Sequence, residues 1–164
     1  MVHTFSLLVE NHQGVLARIA GLFSGRGYNL ESLTVGVTTD PTISRITLVC
    51  IGDDATMEQI KKQLNRIIDI IKVVDMTYCP SVNRELALIK INAKPNQRGE
   101  LFQVADVFRA KVMDVGQNTM ILEITGTGNK IDDFLALLTP YNILEIARSG
   151  VVSMERGKKL KREK

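Results

Sequence analysis

The chain has 164 residues, 45% of them apolar and 24% charged, and a formal net charge of +3. That length holds one ordinary domain or two small ones, the balance is that of a globular protein, and no apolar run approaches the roughly 18–20 residues of a membrane span. Residues 158–164, KKLKREK, carry five cations and one anion, so the rest of the chain stands at −1 and nothing in its charge calls for nucleic acid.

The N-terminus, Met1-Val2-His3-Thr4, leads directly into an apolar alternation without a secretory pattern. Cys50 and Cys79 show no metal spacing, and two reduced thiols suit a cytoplasmic protein. Phe5, Leu7 and Val9 alternate with Thr4, Ser6 and Leu8, as in a half-buried strand. Asn11-His12-Gln13-Gly14 is a turn. Leu16, Ile19, Ala20 and Phe23 then follow helical spacing, with Gly25 and Gly27 as the stop. Strands are expected near 30–38 and 43–51, separated by Thr39-Asp40-Pro41-Thr42. Asp53 or Asp54 caps a helix carrying Met57, Ile60, Leu64 and Ile67, and a strand follows at 70–77. Cys79-Pro80-Ser81-Val82-Asn83 reads as a linker. The order then repeats: strand 86–93, turn 94–99, helix 100–110, strands 112–116 and 119–125, a helix from Asn129 to before Pro140, and a strand at 143–147. Val151-Val152 extends that strand or pairs elsewhere.

The repetition is visible residue by residue. Asn11, Gly14, Leu16, Ala20 and Phe23 recur as Asn96, Gly99, Leu101, Ala105 and Phe108, each 85 positions on. Gly52, Met57, Ile60 and Leu64 recur as Gly126, Ile131, Phe134 and Leu138, 74 positions on, so the second copy has a shorter middle hairpin. The expected class is α+β, with two tandem ferredoxin-like β-α-β-β-α-β domains. Each is an antiparallel four-stranded sheet with two helices on one face. Residues 1–78 form the first domain, 79–84 the linker and 85–157 the second, and 158–164 are a basic tail expected to be disordered.

No catalytic constellation is apparent. The chain has two histidines, His3 and His12, and no Ser, Cys and His fall into a nucleophile pattern. Gly25-Arg26-Gly27 ends a helix, so its amides do not converge as those of a phosphate loop do. Asp132-Asp133 suits the first turn of a helix rather than a catalytic pair, and no metal site is expected. The corner at Asn11–Gly14 offers binding instead. The first amides of a helix lack internal partners and carry partial positive charge, which suits a carboxylate. Gly14 leaves room for close approach, and Asn11 has both donors and an acceptor for an amino acid's two polar groups. Val15 and Leu16 can help supply an apolar wall. Turn building alone also accounts for Asn11 and Gly14. In the second copy Pro95 precedes Asn96, Glu100 would repel a carboxylate, and Asp114 stands where Asn29 would be expected. Binding is therefore expected in the N-terminal copy only.

Two strings carry a family resemblance: Val9-Glu10-Asn11-His12-Gln13-Gly14-Val15-Leu16 and the run from Gly21-Leu22-Phe23-Ser24 through Tyr28-Asn29-Leu30-Glu31-Ser32-Leu33-Thr34-Val35. With Asp40-Pro41-Thr42-Ile43-Ser44-Arg45 and Glu145-Ile146-Ala147-Arg148-Ser149-Gly150-Val151-Val152, the chain resembles the regulatory small subunit of acetolactate synthase, with an N-terminal ACT domain. The resemblance implies a subunit with no chemistry and no cofactor of its own. It implies a partner, the catalytic large subunit, which holds thiamine diphosphate, Mg2+ and FAD and condenses two pyruvates to 2-acetolactate and CO2. It also implies activation of that partner and feedback inhibition of branched-chain amino-acid synthesis by valine. A homodimer through the ACT domains would place valine between chains. Asn11, His12, Gln13, Gly14, Val15 and Leu16 would come from one chain, with His12 and Gln13 acting through the loop backbone, and Asn29 and Leu30 from the other.

Two alternatives accompany this reading. RNA-recognition modules share the strand and helix order, but strand 43–51 has no aromatic on which a base could stack. A free-standing ACT-type amino-acid sensor would act on some other protein. The C-terminal helices are expected to expose too few apolar side chains for a large obligate interface.

Overall fold

The computed structural model describes residues 1–157, so the basic run 158–164 lies outside the described residues. The chain divides into two compact units, one of residues 1–82 together with the segment from 151 onward, the other of residues 83–150.

The first unit contains β1 (Val2–Glu10), α1 (Val15–Ser24), β2 (Leu30–Val37), β3 (Ile43–Ile51), α2 (Asp54–Leu64) and β4 (Ile70–Asp75). Its antiparallel sheet has the order β2-β3-β1-β4. Strand alternation explains the core. Phe5, Leu7 and Val9 of β1 and Ile46, Leu48 and Cys50 of β3 point to one face. There they meet Val15, Ile19 and Phe23 of α1 and Met57, Ile60 and Leu64 of α2. Fully burying each Leu, Ile or Phe is worth about 1.5–3 kcal/mol, which is what holds so small a unit together. Asp53 caps α2, its carboxylate accepting from Thr56 N at 2.7 Å. That bond holds the exposed Asp53 carboxyl below the usual carboxylate range. Gly25 is right-handed at φ −65°, and Gly27 takes the left-handed turn at φ +67°, so one of the two expected stop glycines does that work.

The second unit repeats the order with β5 (Ser81–Asn92), α3 (Arg98–Phe108), β6 (Lys111–Val115), β7 (Thr119–Gly126), α4 (Gly128–Leu138) and β8 (Ile143–Arg148). The strand order is β6-β7-β5-β8. Ala87, Ile89 and Ile91 of β5 and Met120, Leu122 and Ile124 of β7 pack on Leu101 and Ala105 of α3 and Ile131, Phe134 and Leu138 of α4. Glu85 is buried and held by Arg148, which donates Nε to Oε1 at 2.7 Å and Nη2 to Oε2 at 2.8 Å, while Nη1 reaches Asp132 at 2.8 Å. Asp132 is thus a structural partner within α4. These carboxylates raise the Arg148 pKa, with the Glu85 hydrogen bonds the main cause.

The α+β class and both element orders match expectation, with differences at the borders. Residues 79–84 are not wholly linker, because β5 begins at Ser81. Residues after 150 do not close the second unit. Val152–Glu155 form β9, which pairs β5, and Ser153 is buried, its N–H donating to Thr47 Oγ1 of β3 at 3.4 Å. The sheet carrying β5 therefore has five strands rather than four. The C-terminal helices are also more apolar outside than expected: Phe102, Val107 and Leu137 are exposed, and Val107 at 79% is nearly free of the protein. Among the described residues no helix is long and apolar enough to cross a membrane.

Candidate functional site

Strand β1 ends at Glu10, and residues 11–14 turn the chain into α1. The turn is anchored to the β2–β3 connection: Asn11 N–H donates to Thr42 O at 2.7 Å and Asn11 Nδ2 to Pro41 O at 2.9 Å. That connection is stiffened by Asp40, whose Oδ1 accepts from Thr42 N–H at 2.9 Å and Thr42 Oγ1 at 2.6 Å. Both bonds favour the charged form and lower the Asp40 pKa, the side-chain bond more than the backbone one. Gly14 is the residue before the helix, at φ +89° and ψ −15°, a region where a Cβ would be strained. No side chain caps α1, and no acidic residue lies in its first turn. The helix therefore presents amides and a positive dipole end without a built-in anion. At the strand end of the turn a hollow of about 570 Å³ is lined by Glu10, Asn11 and His12, by Pro41, Thr42 and Ile43, and by Ile71.

The expected site residues separate into two places. Asn11, His12, Gln13 and Gly14 are exposed together at this corner, and Leu16 is 44% exposed beside them. Val15 differs from expectation: its side chain is 3% exposed and packs in the core, so only its backbone faces the corner. Helical geometry turns successive side chains about 100° apart, and here Val15 points into the core while Leu16 stays partly exposed. Asn29 and Leu30 sit at the other end of the sheet. Leu30 pairs with Cys50, whereas the corner adjoins the end where Val37 pairs with Ser44. At about 3.3 Å per residue along β2, the two places are roughly 25 Å apart in one chain. Asn29 Nδ2 donates to Glu31 Oε1 at 2.6 Å, and Leu30 packs partly on the core.

The second copy's corner is built differently. Pro95–Gln97 form a short 3-10 turn, Gln97 precedes α3, and Gly99 lies inside the helix without a positive φ. Arg98 ties the corner shut, donating Nη2 to Gly116 O at 2.6 Å and to Gln117 O at 2.7 Å, and Nε to Ala93 O at 3.4 Å. The expected match of Asp114 to Asn29 also fails. Residues 25–29 separate α1 from β2, but only 109–110 separate α3 from β6, so Ala110 occupies the place before the strand and Asp114 lies within β6.

Side chains that sequence reasoning passed over gather around His12. Asp69, just before β4, is nearly buried and pairs through Oδ2 with the Arg18 guanidinium of α1 and through Oδ1 with His12 Nε2 at 3.1 Å. Glu10 Oε2 is 3.3 Å from the same nitrogen. The Gln13 carbonyl on Nδ1, followed by Asp69 and Glu10, raises the His12 pKa above its ordinary 6.5. Asp69 lies 57 positions from His12, and no local spacing announces the contact.

Two family models match the chain: "AHAS small subunit-like ACT domain" over residues 5–72 and "Small subunit of acetolactate synthase" over residues 84–157. A probable acetolactate synthase small subunit of Archaeoglobus fulgidus is 50% identical over 159 residues, covering 97% of this chain and 99% of the relative. The acetolactate synthase small subunit of Mycolicibacterium smegmatis is 50% identical over 155 residues, covering 94% and 91%. Among solved structures, the acetolactate synthase small subunit of Thermotoga maritima superposes with a TM-score of 0.87 at 39% identity, covering 96% of this chain and 99% of that one.

Proposed function

The chain belongs to the acetolactate synthase small-subunit family, and we propose that it activates a separate thiamine-diphosphate-dependent catalytic subunit and confers inhibition by valine, without catalysis of its own. The observation that carries the valine part is the open head of α1. A left-handed glycine precedes uncapped amides that suit a carboxylate, and a hollow opens on the Asn11–His12 side of the same turn.

A homodimer through β2 is part of the same proposal. Strand β2 is a sheet edge, and its sequence, LESLTVGV, has no Lys and no Pro to discourage pairing. Val35 and Val37 stand exposed along it. Antiparallel pairing of two such edges across a two-fold axis brings the Asn29 end of one copy toward the Val37 end of the other, where the Asn11–Gly14 corner lies. Two places some 25 Å apart in one chain thus become one site between two. Valine bound there biases the arrangement of the pair, and it controls the catalytic chain only through its differential affinity for two states, about 1–3 kcal/mol in typical cases.

Reconstitution with the catalytic chain, with acetolactate measured across a valine series, tests both roles. The complex is expected to be more active than the catalytic chain alone and to lose activity as valine rises. Activity of the purified small subunit on pyruvate alone would overturn the non-catalytic reading. Retention of the chain by some other protein, and not by the catalytic subunit, would favour a free-standing sensor.

A further inference from the structure

Among the described residues, one group of His, Asp and Glu side chains converges on a common point: Glu10 at the end of β1, His12 in the corner turn and Asp69 before β4. Their ligand atoms all lie within 4.8 Å of one another, and His12 Nε2 is 3.1 Å from Asp69 Oδ1 and 3.3 Å from Glu10 Oε2. The placement is backbone-determined, because Val9 pairs with Ile70 across β1 and β4 and Glu10 N–H donates to the Asp69 carbonyl at 2.9 Å.

The polarity of the group is unusual. His12 Nδ1 is 3.0 Å from the Gln13 carbonyl, which can only accept, so that nitrogen carries the proton. A neutral ring then turns the Nε2 lone pair toward two carboxylates, which also only accept. Three electron-rich atoms facing one another need a positive charge between them. A second ring proton shared between the two acceptors is one answer, and a metal cation can take its place on the neutral ring. A tetrahedral cation with bonds of 2.0–2.2 Å to nitrogen and oxygen has ligand-to-ligand edges of about 3.3–3.6 Å; the two separations from His12 Nε2 are 3.1 and 3.3 Å, and the two carboxylates lie within 4.8 Å of each other.

We propose that Glu10, His12 and Asp69 form a binding site for a divalent cation of the zinc type, with Arg18 as its outer support. Imidazole nitrogen with carboxylate oxygen suits Zn2+ better than Mg2+ or Ca2+. Asp69 is 5% exposed and gives Oδ1 to the site, while Arg18 holds Oδ2 and fixes the carboxylate's orientation. The Gln13 carbonyl does the same for the imidazole. His12 and Glu10 are about half exposed, so an ion has an entry path and keeps water in its remaining positions. An occupied site would clamp the turn that leads into α1 to the start of β4. Glu10 and His12 also wall the hollow assigned to valine, so the titration is run with Zn2+ and no valine, and valine inhibition is read separately.

The test is calorimetric titration of Zn2+ alone into the tag-free, chelator-treated full chain at mildly alkaline pH, with Co2+ as a spectroscopic substitute. One ion per chain is expected at this site. His12→Gln should weaken it at least about 100-fold, and Arg18→Gln about 10–100-fold. Visible Co2+ bands should appear with the parent chain and vanish with His12→Gln. Glu10→Gln, an exposed change, should also weaken binding without altering the melting temperature in chelator. Equal zinc binding by the parent and His12→Gln would overturn the proposal. So would a His12 ring that titrates as a free imidazole in the presence of Zn2+.

Discussion

The two copies of the repeat share an Asn-x-x-Gly at the same point of the fold, yet their corners differ in kind. In the first, Gly14 is the left-handed residue before the helix, and the amides behind it are uncapped. In the second, Gly99 is an ordinary helical residue, and Arg98 binds three carbonyls around the corner. A shared motif therefore means a shared turn, and whether the turn can hold a ligand is decided by what closes it. A short tight loop with its own guanidinium needs no ligand, whereas an open one leaves polar groups for something else to satisfy.

The largest effect that would sharpen this contrast comes from the cores. Phe134→Ala should cost the second unit about 3–5 kcal/mol, as read by chemical denaturation. Phe23→Ala should do the same to the first unit. If valine binds only the first, valine should raise the melting temperatures of the Phe134→Ala chain and the parent by the same amount. Arg148→Ala strips Glu85 of its partner and leaves a buried carboxylate; partial exposure of the pair limits the loss to about 1–3 kcal/mol, measured by urea denaturation.

Gly14→Asp places a carboxylate where the effector's would sit and adds left-handed strain of about 1–2 kcal/mol. The reconstituted enzyme should keep activation and lose inhibition over the valine range that inhibits the parent. A fully valine-sensitive mutant would break the contrast between the corners. Gly14→Ala and Gly99→Ala test the backbone alone, since a Cβ at either position meets nothing within 4 Å. The first should destabilise by about 1–2 kcal/mol; the second, in a helix with ordinary φ, should stabilise by up to about 1 kcal/mol. Thermal melts of the pair decide it.

The smallest effect concerns pH. His12 acquires its partners on folding, and its pKa is raised above 6.5. Protonation therefore adds stability that is fully present below that value and lost as the pH rises through the raised one. In chelator, the melting-temperature gap between the parent and His12→Gln should be widest in mild acid and should close in alkali. A gap that stays constant across this range would show that His12 gains no charge-dependent contact with Asp69 and Glu10 on folding.

Much of the fold was legible because the copies check each other. Phe5, Leu7 and Val9 alternate, Met57, Ile60 and Leu64 recur as Ile131, Phe134 and Leu138, and both sets lie in the cores. β3 falls at Ile43–Ile51 as expected because β-branched residues fill it between clear breakers. Periodicity weakened at the ends. Ser81 and Val82 looked like a linker because Pro80 precedes them, and the short pair Val151-Val152 left its partner open. The corner at Asn11–Gly14 is legible from residue types, whereas the burial of Val15 and the approach of Asp69 and Arg18 depend on helix phase and strand pairing.

The amino-acid sequence alone determined the element order, the inward faces and the turn glycine, since these follow from local spacing and from backbone preferences within a few residues. Only the tertiary structure decided which glycine stands at a left-handed angle, which corner is closed by a guanidinium, and that Asn29 lies at the far end of the sheet from Gly14. The same holds for the meeting of His12 with Glu10 and Asp69. Those outcomes depend on loop length and strand register, which bring distant residues together through the sum of many packing contacts and leave no mark in any short stretch of chain.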